Sequence, residues 1–466
     1  MRNEIKRRLV RMLGAENYLD AREDRLTYAY DAGGDRCLPE AVVFPQNVAQ
    51  VSAILSLADA RRIPVVPRGA GSGLTGGAVP LAGGLVMAMD RFDRILEVDA
   101  ANRQAIVEPG VVTARLHAAV EARGLFYPPY TASLTFCTIG GNIAENAGGM
   151  RAVKYGVTKD FVMGLEVVLA NGEVIHTGSR CIKDVVGYDL TRLFVGSEGT
   201  LGVVTRAVLR LLPLPEAKQT LLASFQAMDH AARTVADIVK AGIVPTTLEF
   251  MDRHCIRAVN RFKAGGLPEN AAAALLVEVD GRLSDIEADL DRVHRVCRTN
   301  SALAVDIARN RQDQDALWLA RRSVHAALGR LRPAWIEEDI AVPVARIPEM
   351  VRRLEAIGSE LQVLIACFGH TGDGNIHVNL AEDDRTPPGN LARAREAVLK
   401  AAVAMEGRIA AEHGIGMLKR DEIGWNLDDN TLALMRRIKR LLDPHGILNP
   451  GKIFPSTLAC ADDRRA

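Results

Sequence analysis

Val65-Val66-Pro67-Arg68-Gly69-Ala70-Gly71-Ser72-Gly73-Leu74-Thr75-Gly76-Gly77 runs from an apolar strand into a loop in which almost every second residue is glycine. Glycine frees the backbone to turn its N–H groups toward one point, so such a loop can cradle an anion such as a phosphate. It is not a dinucleotide fingerprint opening a crossover helix, and no Gly-Lys-Ser/Thr follows to make a P-loop. Taken alone it reads equally well as a structural turn. Two further loops share its character: Thr138-Ile139-Gly140-Gly141-Asn142-Ile143-Ala144-Glu145-Asn146-Ala147-Gly148-Gly149, and Val195-Gly196-Ser197-Glu198-Gly199-Thr200-Leu201-Gly202-Val203-Val204-Thr205. Each by itself is a tight turn beside a strand; three in one half of the chain favour one extended ligand.

Outward from these loops, residues 41–212 alternate short β-rich runs with helical stretches at Val48 to Ala60 and Val112 to Arg123. A strand from Val203 to Leu212 ends at Pro213 and Pro215, so a second domain is expected from near Glu216. There the strands Ala274 to Val279, Val363 to Phe368 and Ile376 to Leu380 precede a helix from Leu391 to Ala411. At 466 residues the chain exceeds what one hydrophobic core serves. Its 58 Lys and Arg balance 57 Asp and Glu, which excludes the basic excess of nucleic-acid binding. The seven cysteines form no C-x-x-C pair, arguing against an iron-sulfur cluster or structural zinc. No apolar run reaches membrane-span length, and the Arg-rich N-terminus lacks an apolar core segment. An amphipathic N-terminal helix and cytoplasmic residence are expected, with membrane association only peripheral and through a partner.

In Phe368-Gly369-His370-Thr371-Gly372-Asp373-Gly374-Asn375-Ile376-His377-Val378-Asn379 two histidines flank a glycine turn, so a hairpin brings both imidazoles to one end of a sheet. Further on, Ala410-Ala411-Glu412-His413-Gly414-Ile415-Gly416 is read as the end of a helix carrying a carboxylate and an imidazole. Two histidines and a carboxylate are a common ligand set for zinc or another borderline divalent ion, with positions left open for substrate. A lone histidine is more often a satisfied core or surface residue; four such groups on two glycine-bounded motifs shift the balance.

The three glycine loops in this order, with these two motifs, resemble the vanillyl-alcohol oxidase-like flavoproteins. The resemblance is to the FAD-linked 2-hydroxy acid dehydrogenases, which include glycolate oxidase flavin subunits, D-lactate dehydrogenases and D-2-hydroxyglutarate dehydrogenases. It runs from about Pro39 to Phe454 and implies an α+β, two-domain FAD-binding fold of the PCMH type with a C-terminal α+β substrate cap. The expected divisions are a helical segment over 1–35, an FAD-binding domain over 36–214, a cap over 215–445 and a return segment to the flavin over 446–466. FAD contacts are implied at Pro67, Arg68, Gly69, Ala70, Gly71, Ser72, Gly73, Leu74 and Thr75. Others are implied at Ser133, Thr138, Ile139, Gly140, Gly141, Asn142, Asn146, Ala147, Gly148, Gly149, Gly156, Val204 and Asn449. The first loop lacks the histidine that covalent relatives use, so the FAD is expected to be non-covalent.

The same resemblance implies His370, His377 and Glu412 as ligands of a divalent metal, zinc being expected, His413 as the catalytic base and Asn379 as a substrate-facing amide. Some members hold the substrate carboxylate with an Arg of the helix that reads Leu317-Trp318-Leu319-Ala320-Arg321-Arg322 here. Arg321 is the choice, a guanidinium being able to grip a carboxylate through two hydrogen bonds, with Arg322 the alternative. The D-2-hydroxyglutarate enzymes carry Thr and Lys where His325 and Glu337 align, which disfavours a dianionic substrate. Glu337-Glu338-Asp339 is read as an exposed turn before a strand from Ile340 to Val342. The implied reaction is oxidation of a small D-2-hydroxy acid, D-lactate or glycolate, to the 2-oxo acid. Hydride passes to flavin N5, and electrons then leave to a quinone, a cytochrome, an electron-transferring flavoprotein or an iron-sulfur subunit. A homodimer is compatible with this. The rival readings are D-2-hydroxyglutarate oxidation and a flavin-binding electron-relay subunit of a larger complex. Ether-lipid synthases and aldonolactone oxidases share the loops, but the histidine motifs separate this chain from them.

Overall fold

The computed structural model describes residues 3–262, 266–331, 335–383 and 386–456; the last ten positions of the expected return segment, with Cys460, lie outside the described residues. Contacts divide the chain into two units. Met1–Gly148, Val157–Leu214 and Glu412–Ala466 form the first, and Gly149–Gly156 with Pro215–Ala411 form the second.

The first unit is built around the helix Val48–Arg61. Asn47 caps it by accepting from the Gln50 N–H, and left-handed Arg62 ends it. Val51, Ile54, Leu55 and Ala58 recur at helical spacing and are fully buried. They pack against Val43, Leu85 and Met87 of a four-stranded sheet, together with Leu9 of the N-terminal helix Asn3–Leu13. The sheet order is Tyr18–Leu19, Ala41–Val43, Leu85–Ala88, Val65–Arg68, and the last three strands are parallel. Parallel strands covered on both faces read as unbroken apolar runs, as these do. Beside Val65 the chain returns near its end: Val65 N–H donates to Ile447 O and Asn449 N–H to Val65 O, both at 2.8 Å.

A five-stranded antiparallel sheet completes the first unit, in the order Ile95–Asp99, Gln104–Val107, Val203–Arg210, Val162–Val168, Val174–Gly178. Strand Val203–Arg210 alternates buried and half-buried residues, the period of a sheet with one core face. It stops two residues short of the expected Leu212, because Leu212–Pro213 pairs separately with Leu125–Phe126.

The second unit carries a seven-stranded antiparallel sheet. Its order is Ala302–Ile307, Ala217–Phe225, Ala273–Gly281, Thr247–Asp252, Leu364–His370, Asn375–Ala381, Ile336–Ala341. Helix Arg311–Arg322 lays one face across it through polar anchors a turn apart. Gln314 Nε2 donates to Gln219 Oε1 at 2.6 Å, Trp318 Nε1 to Glu278 Oε2 at 3.1 Å, and Arg321 Nε to Glu249 Oε2 at 2.7 Å. Residues 149–156 join this unit by way of Asp280, which accepts from Lys154 Nζ at 2.5 Å and the Tyr155 hydroxyl at 2.9 Å.

Two local expectations are corrected. The Glu337-Glu338-Asp339 stretch is the middle of strand Ile336–Ala341, with Glu338 and Asp339 buried. Distant partners make that burial tolerable: Arg395 Nε donates to Glu338 at 2.5 Å, and Asn375 Nδ2 and the Ala411 N–H donate to Asp339 at 2.6 and 2.9 Å. The helix expected from Leu391 to Ala411 spans Asn390–Ala404. Glu406 then turns left-handed, and Gly407 lies so close to the strand that a Cβ there would sit 2.2 Å from Ala341 O. The chain leaves the helix to bridge Arg408 to Ala341, so Glu412 and His413 stand on a turn and not at a helix end.

Candidate functional site

In the first unit the glycine loops differ in what they do with their amides. Among the described residues, none of the N–H groups from Gly69 to Gly77 donates to another backbone group. A run of uncommitted amides leaving a strand is what an anion cradle requires. Arg68, at the entrance, is buried and donates through Nη1 to Tyr30 O at 2.7 Å.

The second loop spends its donors internally. Ile139, Gly140 and Asn142 N–H groups go to Val111, Pro109 and Thr138 carbonyls, and Gly141 N–H goes to the Thr138 hydroxyl that caps helix Ile139–Glu145. Asn142 Nδ2 donates to Thr113 Oγ1 at 2.8 Å, and Asn146 is the left-handed cap whose Oδ1 accepts from Lys159 N–H. Ser133 anchors a turn by accepting from Phe136 and Cys137 N–H groups. Ala147 and Gly148 remain in this unit, whereas Gly149 and Gly156 group with the second. Val204 lies on the central strand Val203–Arg210.

The third loop ties these segments together. Gly196 and Glu198 N–H groups donate to Ile143 and Ala144 carbonyls, fastening it to the second loop. The Glu198 carboxylate accepts the Ile415 and Gly416 N–H groups at 2.8 and 2.7 Å, which clasps the turn that follows His413. Thr75 holds the same turn from the first loop, its hydroxyl donating to His413 O at 3.1 Å and its carbonyl accepting from Met417 N–H at 2.9 Å. Asn449 closes the assembly, its Nδ2 donating to Gly77 O and Glu198 O at 2.8 Å each. His413 is thereby fixed against the first and third loops.

This cluster is electrostatically unusual. Burial pushes the Glu145 carboxyl well above its ordinary range, and the neighbouring Glu198 charge adds to the effect. Burial raises Glu198 too, against the opposing pull of the two amides it accepts. Burial lowers Lys452 to about 8; its Nζ donates to Val79 O at 2.6 Å, and the carboxylates of Asp31, Glu198 and Glu145 counter the shift only partly.

In the second unit the candidate side chains His370, His377 and Asn379 share one sheet face, and Arg321 reaches Glu249 from helix Arg311–Arg322. His370 ends strand Leu364–His370 and His377 lies on the returning strand Asn375–Ala381, with ring centroids 5.2 Å apart and planes nearly perpendicular. His370 turns its Nδ1 toward a buried carboxylate, and His377 turns its Nδ1 toward one buried and one half-buried carboxylate. His370 Nδ1 is 2.7 Å from Glu249 Oε1, and His377 Nδ1 is 3.8 Å from both Glu337 Oε1 and Asp339 Oδ1. A carboxylate behind the ring is how metal-binding imidazoles are oriented, so both residues fit a borderline divalent ion. Asn379 shares the face of His377 two residues on, and its Nδ2 is buried with no hydrogen-bond partner among the described residues. Arg321 is the inward arginine of its helix, 6% exposed, paired with Glu249 and stacked 4.7 Å over the Phe368 ring. Burial alone would raise Glu249, but the charges of Arg321 and His370 hold its carboxyl below the ordinary value. Glu412 is the residue after Ala411, the last of this unit, and belongs to the first unit, where it lies near Gly148.

Sequence reasoning missed Glu249, Glu198 and Glu145 as members of these clusters. Glu198 and Glu145 stood inside the quoted glycine loops, so a carboxylate in a glycine-rich turn was the available signal. Glu249 had none.

Comparison with known proteins agrees with this architecture. Residues 39–178 match the family model described as an FAD binding domain, and residues 214–453 match that of FAD linked oxidases, C-terminal domain. The chain is 44% identical to the glycolate oxidase subunit GlcD of Bacillus subtilis, over 97% of each chain. It is 38% identical to the D-lactate dehydrogenase of Archaeoglobus fulgidus, over 88% of this chain and 90% of that one. Among solved structures, p-cresol methylhydroxylase superposes with a TM-score of 0.79 at 17% identity, covering 97% of this chain and 96% of that one. The 4-ethylphenol oxidase of Gulosibacter chungangensis superposes with a TM-score of 0.77 at 19% identity, covering 98% and 99%. With glycine loops, sheets and family models in agreement along nearly its whole length, the chain belongs to the FAD-linked oxidases, as an FAD-dependent oxidoreductase of α+β, vanillyl-alcohol oxidase-like fold.

Proposed function

We propose that the protein oxidises a small D-2-hydroxy acid such as D-lactate, or glycolate, to the corresponding 2-oxo acid. The observation that carries this reading is the second unit's sheet face, where two imidazoles, a buried guanidinium and an uncommitted amide stand together. That is the equipment for gripping an anionic alcohol, in a chain whose relatives are named a glycolate oxidase subunit and a D-lactate dehydrogenase.

In the proposed mechanism Arg321 binds the substrate carboxylate and Asn379 donates to it or to the hydroxyl. His413, steadied by Thr75 and Glu198, accepts the hydroxyl proton, a task suited to an imidazole near neutral pH. FAD contacts are proposed along Pro67 to Thr75, Ser133, Thr138 to Asn142, Asn146 to Gly149, Gly156, Val204 and Asn449. Bound non-covalently, the flavin supplies the acceptor for the C2 hydride. His370, His377 and Glu412 are proposed to hold a divalent ion, zinc by its ligand types, whose chemistry would be to acidify the hydroxyl and orient the substrate.

The relative's designation as a subunit supports a partner polypeptide as electron acceptor, of quinone-linked, cytochrome, flavoprotein or iron-sulfur type. Among the described residues no helix is long and apolar enough to cross a membrane. The test is anaerobic titration of the purified protein with a panel of D- and L-2-hydroxy acids, following flavin absorbance. Bleaching by D-lactate or glycolate is expected; bleaching by neither would overturn the assignment.

A further inference from the structure

The carboxylate of Glu249 touches two residues that the proposed function uses for different purposes. Strand register sets Glu249 directly opposite His370. Oε1 lies 2.7 Å from His370 Nδ1, while Oε2 lies 2.7 Å from Arg321 Nε and 2.5 Å from its Nη2. The Glu249 side chain is completely buried. A carboxylate can only accept, so the proton shared with His370 sits on Nδ1, and Nε2 carries the lone pair able to ligate a metal. On the other side Oε2 holds the guanidinium by its Nε–Nη2 edge, and the Phe368 ring backs it at 4.7 Å.

We propose that Glu249 is a positioning residue which sets the metal-ligand tautomer of His370 and the carboxylate-gripping pose of Arg321 with one side chain. The proposal rests on the functional reading above and adds to it. Substrate grip and metal retention are coupled through Glu249, so a substitution there disturbs both at once. Burying the paired charges would be a poor device for stability alone, since a buried ion pair seldom outperforms an apolar replacement.

The test uses the full-length holoenzyme and three proteins: wild type, Glu249→Gln, and Glu249→Gln combined with Arg321→Met. Metal per flavin is measured by elemental analysis, metal loss is timed in a chelator, and anaerobic flavin reduction yields kcat and KM separately. In Glu249→Gln one amide oxygen must serve two donors while its NH2 faces a cation. Chelator-driven loss should accelerate about 10–100-fold, as for other carboxylates behind metal-bound histidines, and KM should rise with it. In the double variant the Gln oxygen has only His370 to serve. Metal retention should return toward wild type while KM stays raised, a split that general loosening of the fold would not produce. Wild-type metal retention and KM in Glu249→Gln would overturn the proposal, as would a double variant that loses metal as fast as the single one. Should Glu249→Gln not fold, the double variant, free of the buried cation, decides by the same two readouts. A wild-type protein without metal or without substrate-dependent bleaching would instead refute the underlying functional reading.

Discussion

Gly416→Ala probes the clasp that fixes His413. Gly416 has φ +52°, a conformation that costs an alanine about 1–2 kcal/mol. The added Cβ would stand 2.1 Å from Thr75 O and 2.6 Å from Thr75 Oγ1, and a backbone carbonyl cannot swing aside. The turn must therefore move off Thr75. It would give up the Met417 N–H to Thr75 O bond, of neutral strength, and the Gly416 N–H to Glu198 bond, strengthened by charge. Together with the strain this comes to roughly 3–6 kcal/mol for the first unit. Its melting transition should fall by roughly 6–15 °C, as expected for a domain of a few hundred residues. With His413 as the proposed base, a displacement of about 1 Å there should slow catalysis about 100-fold, so flavin reduction followed by anaerobic stopped flow should collapse. A variant that melts and reduces its flavin like wild type would show that the clasp at Thr75 and Glu198 does not position the base.

Other perturbations test separate parts of the account. His413→Ala should keep FAD, because the loops proposed to bind it are intact, and lose substrate-dependent bleaching; unaltered reduction kinetics would remove His413 from the mechanism. Buried Lys452 releases its proton at about 8, whereas an unfolded lysine does so at 10.5. The unfolded chain therefore binds more protons in that interval, and Lys452's contribution to stability rises as pH climbs from 8 to 10.5. Urea titrations across this window should show wild type gaining on Lys452→Met with increasing pH, and a constant difference would contradict the assigned burial. Leu55→Ala, in the fully buried face of helix Val48–Arg61, should cost about 2–5 kcal/mol by denaturant unfolding, and a loss well below that range would mean the site is looser than described.

What could be read from sequence was whatever a short segment dictates by itself. The Gly69 to Gly77 loop announces itself because its backbone demands glycine, and the hairpin at 370–377 because a glycine turn separates two alternating runs. Glu249 was illegible for the opposite reason. Leu248-Glu249-Phe250-Met251 resembles any buried strand, and the residues that give its carboxylate a purpose lie 72 and 121 positions away. Glu338 and Asp339 were misread as exposed because local polarity says nothing of Arg395 or Asn375 arriving to pair them. The overlong helix has the same origin. Residues 405–411 suit a helix locally, and only the approach of Gly407 to Ala341 ends it.

The first unit is a discontinuous body, interrupted by residues 149–156 and again by 215–411. On the ribosome this dictates an order of events. The edge of strand Val65–Arg68 that Ile447 to Asn449 will cover is made early and stays open until the entire second unit has emerged. The second unit, continuous from Pro215, is able to complete its sheet first, inverting the usual N-terminal-first sequence of domain folding. Until Asn449 arrives to span Gly77 and Glu198, the first and third loops lack that link. Nascent chains are thus exposed to pairing at an unfinished sheet edge until residues 447–449 have emerged.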